Sequence, residues 1–593
     1  MEGSRPLGKW IRDSRVGLMR IKRGAKISIV VLVSISMTLA NLLPSQGASV
    51  FDLLPGGAQT PGYYGVTFEE RQPTYGENVS IISSNVAVAD RVNGVPAMFL
   101  CSSMDDPQCS KGAHISAQLI LPPCISTTDR MCVEALSIGT SSNALEPALL
   151  NKEITSLTTP ADSITGLPRG GGPSLWSAPN VANKSGSKTY GVNVRVTYFQ
   201  NREKAGSAGK RNAPITLTSM RVSVFPVSVT PGKYYPLESY STVNSDGGAT
   251  YGTRPTGNDY DNLTDCAWTE SGTCAKYVDF ADNTRVGLSL RMGNEMTGWL
   301  YGRMKDVDVE VSSLGDKFNK IYIEANPVAA PGAYGFIKKS ELKNNPKLDE
   351  RIRLSSGEFG YNEMMNSDFS RVSGYDPVGN FEDFQAFEPI LKTKPGYRAQ
   401  WVISAGASAN GYRATSSNAC FEDKTKLLGI VTTNALIYSP AAPEFKDGTL
   451  NYKVAGLHHA EDGVTLTRGS YDLAIRSSVA RCLYGFTDAP FRASISVIGA
   501  DGNAQTVATE SVREDKKREW LFLSANNFTF SAPTIKVKLV QDKPLSPTSE
   551  PSKQAAPVKK TVPKLKVINC VKGKMNKKVS GSNPKCPTGL RQK

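Results

Sequence analysis

Hydrophobic and polar residues alternate with a period of two through much of the chain after residue 79. Val192, Val194, Val196 and Tyr198, for example, are separated by polar residues. The same pattern occurs at 222–224, 286–292, 307–311 and 535–539. Because successive side chains of a strand point to opposite faces, the pattern indicates antiparallel sheets with one buried face and one wet face. The chain is predicted to be mainly β, with two or more β-sandwich or jelly-roll-like domains.

Other stretches lack this period. Residues 50–78 are rich in Gly, Pro and Tyr and are predicted to be irregular. Residues 340–353 favour a short helix, and residues 374–389 are predicted to form an ordered loop that carries acids and aromatics. Residues 541–566 consist largely of Pro, Lys, Ser and Thr, cannot bury a core, and are predicted to be a disordered linker.

Residues 27–43 are the only long apolar run without a charge. A basic leader precedes the run and small residues follow it, which is the order of an export signal. The segment is predicted to form an apolar helix that is either cleaved near Ala48 or kept as a membrane anchor. Its 17 residues are at the short limit for a span, which needs about 20. Both alternatives place the rest of the chain outside the cytoplasm, because the Lys/Arg excess precedes the run.

These observations give six predicted regions. They are a signal peptide or signal anchor at 1–49, an irregular segment at 50–78, an N-terminal β-rich domain at 79–345, a C-terminal β-rich domain at 346–540, a linker at 541–566 and a basic Cys-clasped tail at 567–593.

The formal charge of +15 is confined to the two ends of the chain. Residues 541–593 carry thirteen Lys/Arg and two acids, which gives +11, and residues 1–26 carry eight Lys/Arg and two acids, which gives +6. The remainder, 27–540, is therefore near −2. A nearly neutral body argues against nucleic acid as a partner. The basic tail instead predicts contact with an anionic cell-wall polymer or a membrane surface.

Ten cysteines follow the apolar run and none precedes it. An even number of cysteines in an exported chain predicts disulfides. Three pairs share a C-x7-C spacing, and five bridges are predicted: Cys101–Cys109, Cys124–Cys132, Cys266–Cys274, Cys420–Cys482 and Cys570–Cys586. Zinc is the rival interpretation, but the chain has no C-x2-C pair and too few histidines to complete a site.

The C-terminal third carries several distinctive segments. They read RGSYDL at 468–473, ARCLYGF at 480–486, WLFLSA at 520–525, FTFSAP at 528–533, CVKGK at 570–574 and NPKCP at 583–587. This combination resembles a C-terminal β module and basic Cys-clasped tail of uncharacterised large exported actinobacterial proteins, over about residues 430–593. The ending RQK at 591–593 departs from the lysine-richer ending of that family. The resemblance implies an exported location and this architecture. It implies no activity.

No catalytic motif is present. The chain has three histidines, no G-x-S-x-G elbow, no H-E-x-x-H, no Walker A sequence and no G-x-G-x-x-G after a strand. Glu382, Asp383 and Glu388 lie among aromatic residues, and paired carboxylates in such a setting are the components of a glycosidase site. A loop that packs into a sandwich would show the same residues, so packing is the competing interpretation.

Asp259, Asp261 and Asp265 form an acidic cluster that could offer oxygens to calcium. Their spacing does not match an EF-hand loop, because Leu263 occupies the third ligand position. An Asx-turn tightened by Cys266–Cys274 is the favoured interpretation of the cluster. No cofactor is predicted. The sequence favours a non-catalytic, exported cell-envelope protein with a structural or surface-binding role, located at the cell surface or outside the cell. The alternative is a secreted carbohydrate-active enzyme or carbohydrate-binding protein, with carbohydrate as a further candidate partner.

Overall fold

The structure is a computed structural model. It describes residues 62–70, 72–85, 98–107, 112–140, 144–202, 211–243, 249–294, 298–315, 317–355, 368–371, 377–394, 398–406, 418–421, 423, 425–440, 442–486, 491–498, 504–505, 509–530, 534–541, 566–573, 575–581 and 583–593. The predicted export signal at 1–49 and residues 542–565 of the predicted linker lie outside the described residues.

Strands dominate the described residues. The first twelve are β1 Tyr63–Phe68, β2 Ile81–Asn85, β3 Met98–Cys101, β4 His114–Ile120, β5 Cys132–Thr140, β6 Glu146–Pro147, β7 Leu149–Glu153, β8 Ser174–Ser177, β9 Thr189–Asn201, β10 Ile215–Pro231, β11 Leu237–Val243 and β12 Ala249–Pro255. The next twelve are β13 Cys266–Glu270, β14 Thr273–Tyr277, β15 Thr284–Gly293, β16 Gly298–Arg303, β17 Lys305–Ser313, β18 Phe318–Asn326, β19 Val328–Ala329, β20 Ala333–Lys338, β21 Asp368–Arg371, β22 Leu391–Thr393, β23 Ala399–Gly406 and β24 Leu427–Thr433.

The remaining strands belong to the C-terminal third. They are β25 Ile437–Tyr438, β26 Glu444–Lys446, β27 Thr449–Ala455, β28 Arg468–Arg476, β29 Phe491–Ile498, β30 Ala504–Gln505, β31 Thr509–Asp515, β32 Trp520–Thr529, β33 Thr534–Gln541, β34 Lys566–Lys572, β35 Met575–Gly581 and β36 Arg591–Gln592. The described α-helices are α1 Pro346–Ser355, α2 Pro377–Phe387 and α3 Ser477–Tyr484. None of them has the length and apolarity that a membrane crossing requires.

A sixteen-stranded sheet organises the molecule. Its main path runs β3-β2-β4-β9-β10-β23-β16-β24-β28-β32-β31, and β7, β8, β13, β14 and β19 pair beside this path. Its neighbours are antiparallel apart from β16 and β24, which are parallel. The prediction of a mainly β chain with antiparallel sheets is confirmed.

A five-stranded sheet, β17-β18-β15-β5-β6, packs against one face of the large sheet. Val222, Trp401 and Ile403 of the large sheet share a buried cluster with Leu288 and Leu290 of β15. Full burial of each such apolar side chain stabilises the fold by about 1.5–3 kcal/mol. This layer is the sandwich that the alternation at 222–224 and 286–292 predicts.

A six-stranded sheet that contains β27, β29 and β33 packs against the other face of the large sheet, where β28 and β32 lie. Leu473 and Leu523 of the large sheet share a second buried cluster with Val537 of the six-stranded sheet. Their neighbours Ala474 and Phe522 belong to the first cluster, because successive side chains of β28 and β32 point to opposite faces. The C-terminal part of the large sheet is therefore buried on both faces.

Strands from both predicted β-rich domains share the large sheet. β23 lies between β10 and β16, and β24 pairs with β16. The structure therefore differs from the predicted boundary between residues 345 and 346, because the sheet is continuous across it. Local alternation along the chain does not show which strands become neighbours in space.

A four-stranded sheet, β21-β1-β20-β22, packs with α1 and α2. The structure corrects two predictions here. Residues 63–68 form a strand rather than an irregular segment, and Val66 and Phe68 are fully buried. The predicted loop at 374–389 contains α2, because Phe384 and Phe387 of this helix pack edge-on against Phe68.

Four predicted disulfides are confirmed: Cys124–Cys132, Cys266–Cys274, Cys420–Cys482 and Cys570–Cys586. Cys101 is also disulfide-bonded, and its predicted partner Cys109 lies outside the described residues. Within the described part of the chain, no cysteine is free.

Candidate functional site

The candidate glycosidase residues Glu382 and Asp383 lie on α2 and meet one arginine of α1. Arg351 Nε donates to Asp383 Oδ1 at 2.6 Å, and Arg351 Nη1 donates to Glu382 Oε2 at 3.1 Å. Asp383 is buried and Glu382 is exposed. Charge-assisted hydrogen bonds from one guanidinium to two carboxylates fix the geometry of all three groups. This arrangement joins two helices.

Glu388, the third candidate, lies in the 3₁₀ turn Glu388–Ile390 that follows α2. Partial burial raises the pKa of its carboxyl. Among the described residues, Glu388 takes part in no ion pair with the arginine that holds the other two. The structure brings Glu382 and Asp383 together and leaves Glu388 out of that cluster.

The three candidate calcium ligands bond to two basic residues, Lys233 and Arg398. Asp259 Oδ2 accepts from Lys233 Nζ at 2.8 Å, and Asp261 Oδ2 accepts from the backbone N–H of Lys233 at 2.9 Å. Asp265 Oδ1 lies 3.5 Å from Arg398 Nη2. Across the described ranges, no group of three or more His, Cys, Asp or Glu side chains is arranged to hold a metal ion. The cluster fixes the loop that follows the β11–β12 hairpin.

Glu70 is a buried carboxylate of the body that the sequence pattern did not single out. It follows β1 and lies over the large sheet, on the face opposite the first cluster. Arg221 Nη1 donates to Glu70 Oε1 at 2.6 Å, and Arg303 Nε donates to Glu70 Oε2 at 2.9 Å. The Tyr438 hydroxyl donates to Glu70 Oε2 at 3.2 Å. Gln400 of β23 also donates to the Glu70 carbonyl oxygen.

Arg303 is the centre of this network. Its side chain has no exposed surface, it donates to the carbonyl oxygens of Ala435 and Leu436, and its guanidinium lies 4.5 Å from the centroid of the Tyr438 ring. Strand alternation explains the placement. Arg303 faces the same side of the sheet as Val402 of β23, and Arg221 faces that side together with Ser404.

The charges of Glu70, Arg221 and Arg303 stabilise one another, which favours a structural role for the network. Burial by itself raises the pKa of Glu70, but the nearby guanidiniums of Arg221 and Arg303 outweigh it and lower the pKa to about 2. Burial likewise lowers the pKa of Arg221, and the Glu70 carboxylate more than compensates by raising it. A carboxylate that stays ionised between two arginines cannot exchange a proton near neutral pH. The network joins β1, the large sheet and the segment around Tyr438.

Residues 566–593 form a small separate sheet with the order β35-β34-β36, which we call the basic module. Asn569 pairs with Lys578, Val571 pairs with both Asn576 and Arg591, and the Cys570–Cys586 disulfide closes the unit. Cys570 is fully buried. The sequence predicts the clasp and the charge, and the structure adds three paired strands.

The cations of the basic module have no acidic counterpart within it. Residues 566–593 contain eight Lys/Arg and no Asp or Glu. Six of these cations have described side chains, and all six are exposed: Lys572, Lys577, Lys578, Lys585, Arg591 and Lys593. Within the described part of the chain, none of the six forms an ion pair. The module is therefore a compact surface of uncompensated positive charge.

Comparison of the chain with protein-family models, with curated proteins and with solved structures finds no match. The function must therefore be argued from the residues of this chain.

Proposed function

We propose that the chain is an exported cell-envelope protein with a structural or surface-binding role, rather than an enzyme. Its β-rich body supplies a rigid, disulfide-stapled platform. Its basic C-terminal region, 541–593, holds that platform at an anionic surface of the envelope. The resemblance of residues 430–593 to exported actinobacterial proteins agrees with this location.

The cysteines support an oxidising location. Disulfides persist outside the cytoplasm and are rare within it. Nine of the ten cysteines are disulfide-bonded in the described part of the chain. The loop-entropy relation gives about 4 kcal/mol for the Cys420–Cys482 closure, whose ends are 62 residues apart. A body that depends on such bridges is suited to an extracellular environment.

The observation that carries the proposal is the basic module. Six exposed cations on a 28-residue unit without acids make a strong field, while the body of the protein is nearly neutral. Polyanions bind such surfaces by releasing their condensed counterions, so affinity falls steeply as salt rises. Two of the candidate glycosidase residues, Glu382 and Asp383, form ion pairs with Arg351 that join α1 and α2, which supports a structural role for them.

The test compares three full-length chains exported by the same cells. In the first variant, glutamine replaces the six exposed cations of the basic module. A matched control removes the same charge from the body by replacing exposed lysines with glutamine: Lys343, Lys347, Lys392, Lys446, Lys516 and Lys517. Cells are washed with rising salt and the released protein is quantified.

We expect the unmodified chain and the body control to stay on cells at low salt and to leave as salt rises. The module variant is expected to appear in the medium without a wash. Equal retention of all three chains would contradict the proposal, as would retention of the unmodified chain that does not respond to salt.

A further inference from the structure

The two faces of the basic module differ in how they are covered. Side chains at alternate positions of β34 point to opposite faces, so Cys570 and Lys572 share one face and Asn569 shares the other with its cross-strand partner Lys578. The face of Cys570 is covered by the segment that carries Cys586. Within that segment, a Cβ at Gly589 would lie 3.6 Å from Lys572 Nζ. We call this side the clasped face.

The opposite side, the open face, has no covering segment among the described residues. It carries the partly buried Val571 and six exposed side chains: Val567, Asn569, Asn576, Lys578, Arg591 and Lys593. Val567 retains 59% of its surface, although it lies within a paired strand. Val567 pairs with Ser580, on the side of the Asn569–Lys578 pair that lies away from Arg591, so this valine and the cations share one solvent-facing side of the module.

The register fixes the arrangement of the three open-face cations. Lys578 pairs with Asn569 on one side of β34, and the backbone N–H of Lys593 donates to the Asn569 carbonyl at 2.9 Å on the other side. Neighbouring strands lie about 4.8 Å apart, so the two lysines flank Asn569 with backbones roughly 10 Å apart. Arg591 lies two residues before Lys593, which is about 7 Å along the strand direction. The three cations form a triangle in which Asn569 lies between the two lysines. Asn576 lies outside the triangle, separated from Arg591 by Val571.

We propose that the open face binds a polymer of phosphate diesters at the cell envelope, an inference that rests on the proposed function. A single small anion can contact one or two of the three cations, whereas a chain with repeated charges contacts all three as it crosses the sheet. Arg591 offers a planar fork that matches two oxygens of one phosphate. The amide of Asn569 adds a neutral donor between the two lysines, and the amide of Asn576 adds another beside the triangle. Val567 accommodates the uncharged linking groups of the polymer.

The experiment uses the purified, oxidised full chain and measures its binding to labelled inorganic polyphosphate at several salt concentrations. The open-face variant is K578Q/R591Q/K593Q. The matched clasped-face variant is K572Q/K577Q/K585Q, which removes an equal number of charges from the same module. Intact mass after thiol alkylation reports whether Cys570–Cys586 is formed in each. A fourth chain, R591K, keeps the positive charge at this position but removes the planar guanidinium fork. We expect its sheet to be unchanged.

We expect the open-face variant to bind polyphosphate roughly tenfold or more weakly and with a shallower salt dependence, because three phosphate contacts are lost. The clasped-face variant is expected to lose about threefold or less, from the weaker long-range field alone. R591K is expected to bind less tightly than the unmodified chain and more tightly than the open-face variant.

Four outcomes would overturn the inference. Equal weakening by the two triple variants would remove the role of the open face but leave the proposed function intact, because total charge would then hold the protein on the envelope. Equal or tighter binding to poly(glutamic acid) would refute phosphate as the preferred group. Tighter face-dependent binding to phosphatidylglycerol vesicles would identify a lipid surface in place of the polymer. If neither triple variant weakens binding and retention on cells is also unchanged, the proposed function fails as well.

Discussion

Replacing Glu70 with glutamine tests whether the buried ion network holds the body together. The substitution preserves size and shape but removes the negative charge between Arg221 and Arg303. Arg303 has no exposed surface and Arg221 keeps 18% of its side chain exposed, so water cannot replace the lost carboxylate at Arg303. Removing one member of a buried ion pair costs about 3–5 kcal/mol, because the remaining charge is left without compensation.

The pKa of Glu70 gives a second route to this magnitude. Its value falls from 4.5 to about 2 in the folded protein. At about 1.4 kcal/mol per pKa unit, this corresponds to roughly 3 kcal/mol of stability. Because the folded pKa is lowered, the contribution is fully present above about pH 4.5 and is lost as the pH falls toward 2. Both routes predict a loss of about 3 kcal/mol at pH 7.

The assay is urea unfolding at pH 7 and at steps down to pH 2.5, followed by tryptophan fluorescence. The control is Glu238→Gln, which breaks the exposed pair with Arg254 and is expected to change the free energy of unfolding by less than about 1 kcal/mol. Glu70→Gln should lower stability at pH 7 and flatten the acid dependence between about pH 4.5 and 2. A loss within 1 kcal/mol of that of the control, or an unchanged acid dependence, would refute the reasoning.

Two further predictions concern the C-terminal half. Burial raises the pKa of Asp472 to about 6, although its carboxylate accepts hydrogen bonds from the Ser524 hydroxyl and the Asp306 backbone N–H. Because the folded pKa is raised, the contribution of Asp472 to the free energy of unfolding is present below about pH 4 and is lost as the pH rises through 6. Asp472→Asn should reduce the difference in urea midpoint between pH 4.5 and pH 7, and an unchanged difference would count against this assignment. The double variant Cys420→Ser/Cys482→Ser should lower the free energy of unfolding in urea by about 4 kcal/mol. Two fewer cysteines of the oxidised chain should be protected from thiol alkylation. A stability equal to that of the unmodified chain would show that the bridge does not restrain the unfolded state.

The sequence predicts the class of fold because alternation is a local property. Val222 and Val224 alternate with polar residues, and so do Leu288 and Leu290, and the structure places both pairs in one sandwich core. The cysteine spacing predicts four confirmed bridges because a C-x7-C pair closes a short loop and only a few partners then remain. The positive charge of the C-terminal module is likewise visible from composition.

The sequence does not predict interactions that depend on spatial neighbours. Glu70, Arg221 and Arg303 each read as ordinary polar positions, and their partnership depends on the insertion of β23 between β10 and β16. The one available signal was an arginine within an apolar strand pattern, as at Arg303 after Leu300 and Tyr301. Glu382 and Asp383 suggested catalysis for the same reason, since Arg351 lies 31 and 32 residues before them and its contact with them is not visible in the sequence.

The position of β23 constrains the order in which this protein folds. β10 and β16 are complete by residue 303, yet the strand that joins them begins at residue 399. Glu70 forms its hydrogen bond with Tyr438 later still, because the two residues are 368 positions apart in the chain. A chain that emerges N-terminus first therefore carries an unfinished sheet through most of its synthesis, and long-range pairing of this kind slows folding. Assembly of the body is therefore a late event, because the strands that complete the large sheet lie between residues 399 and 529.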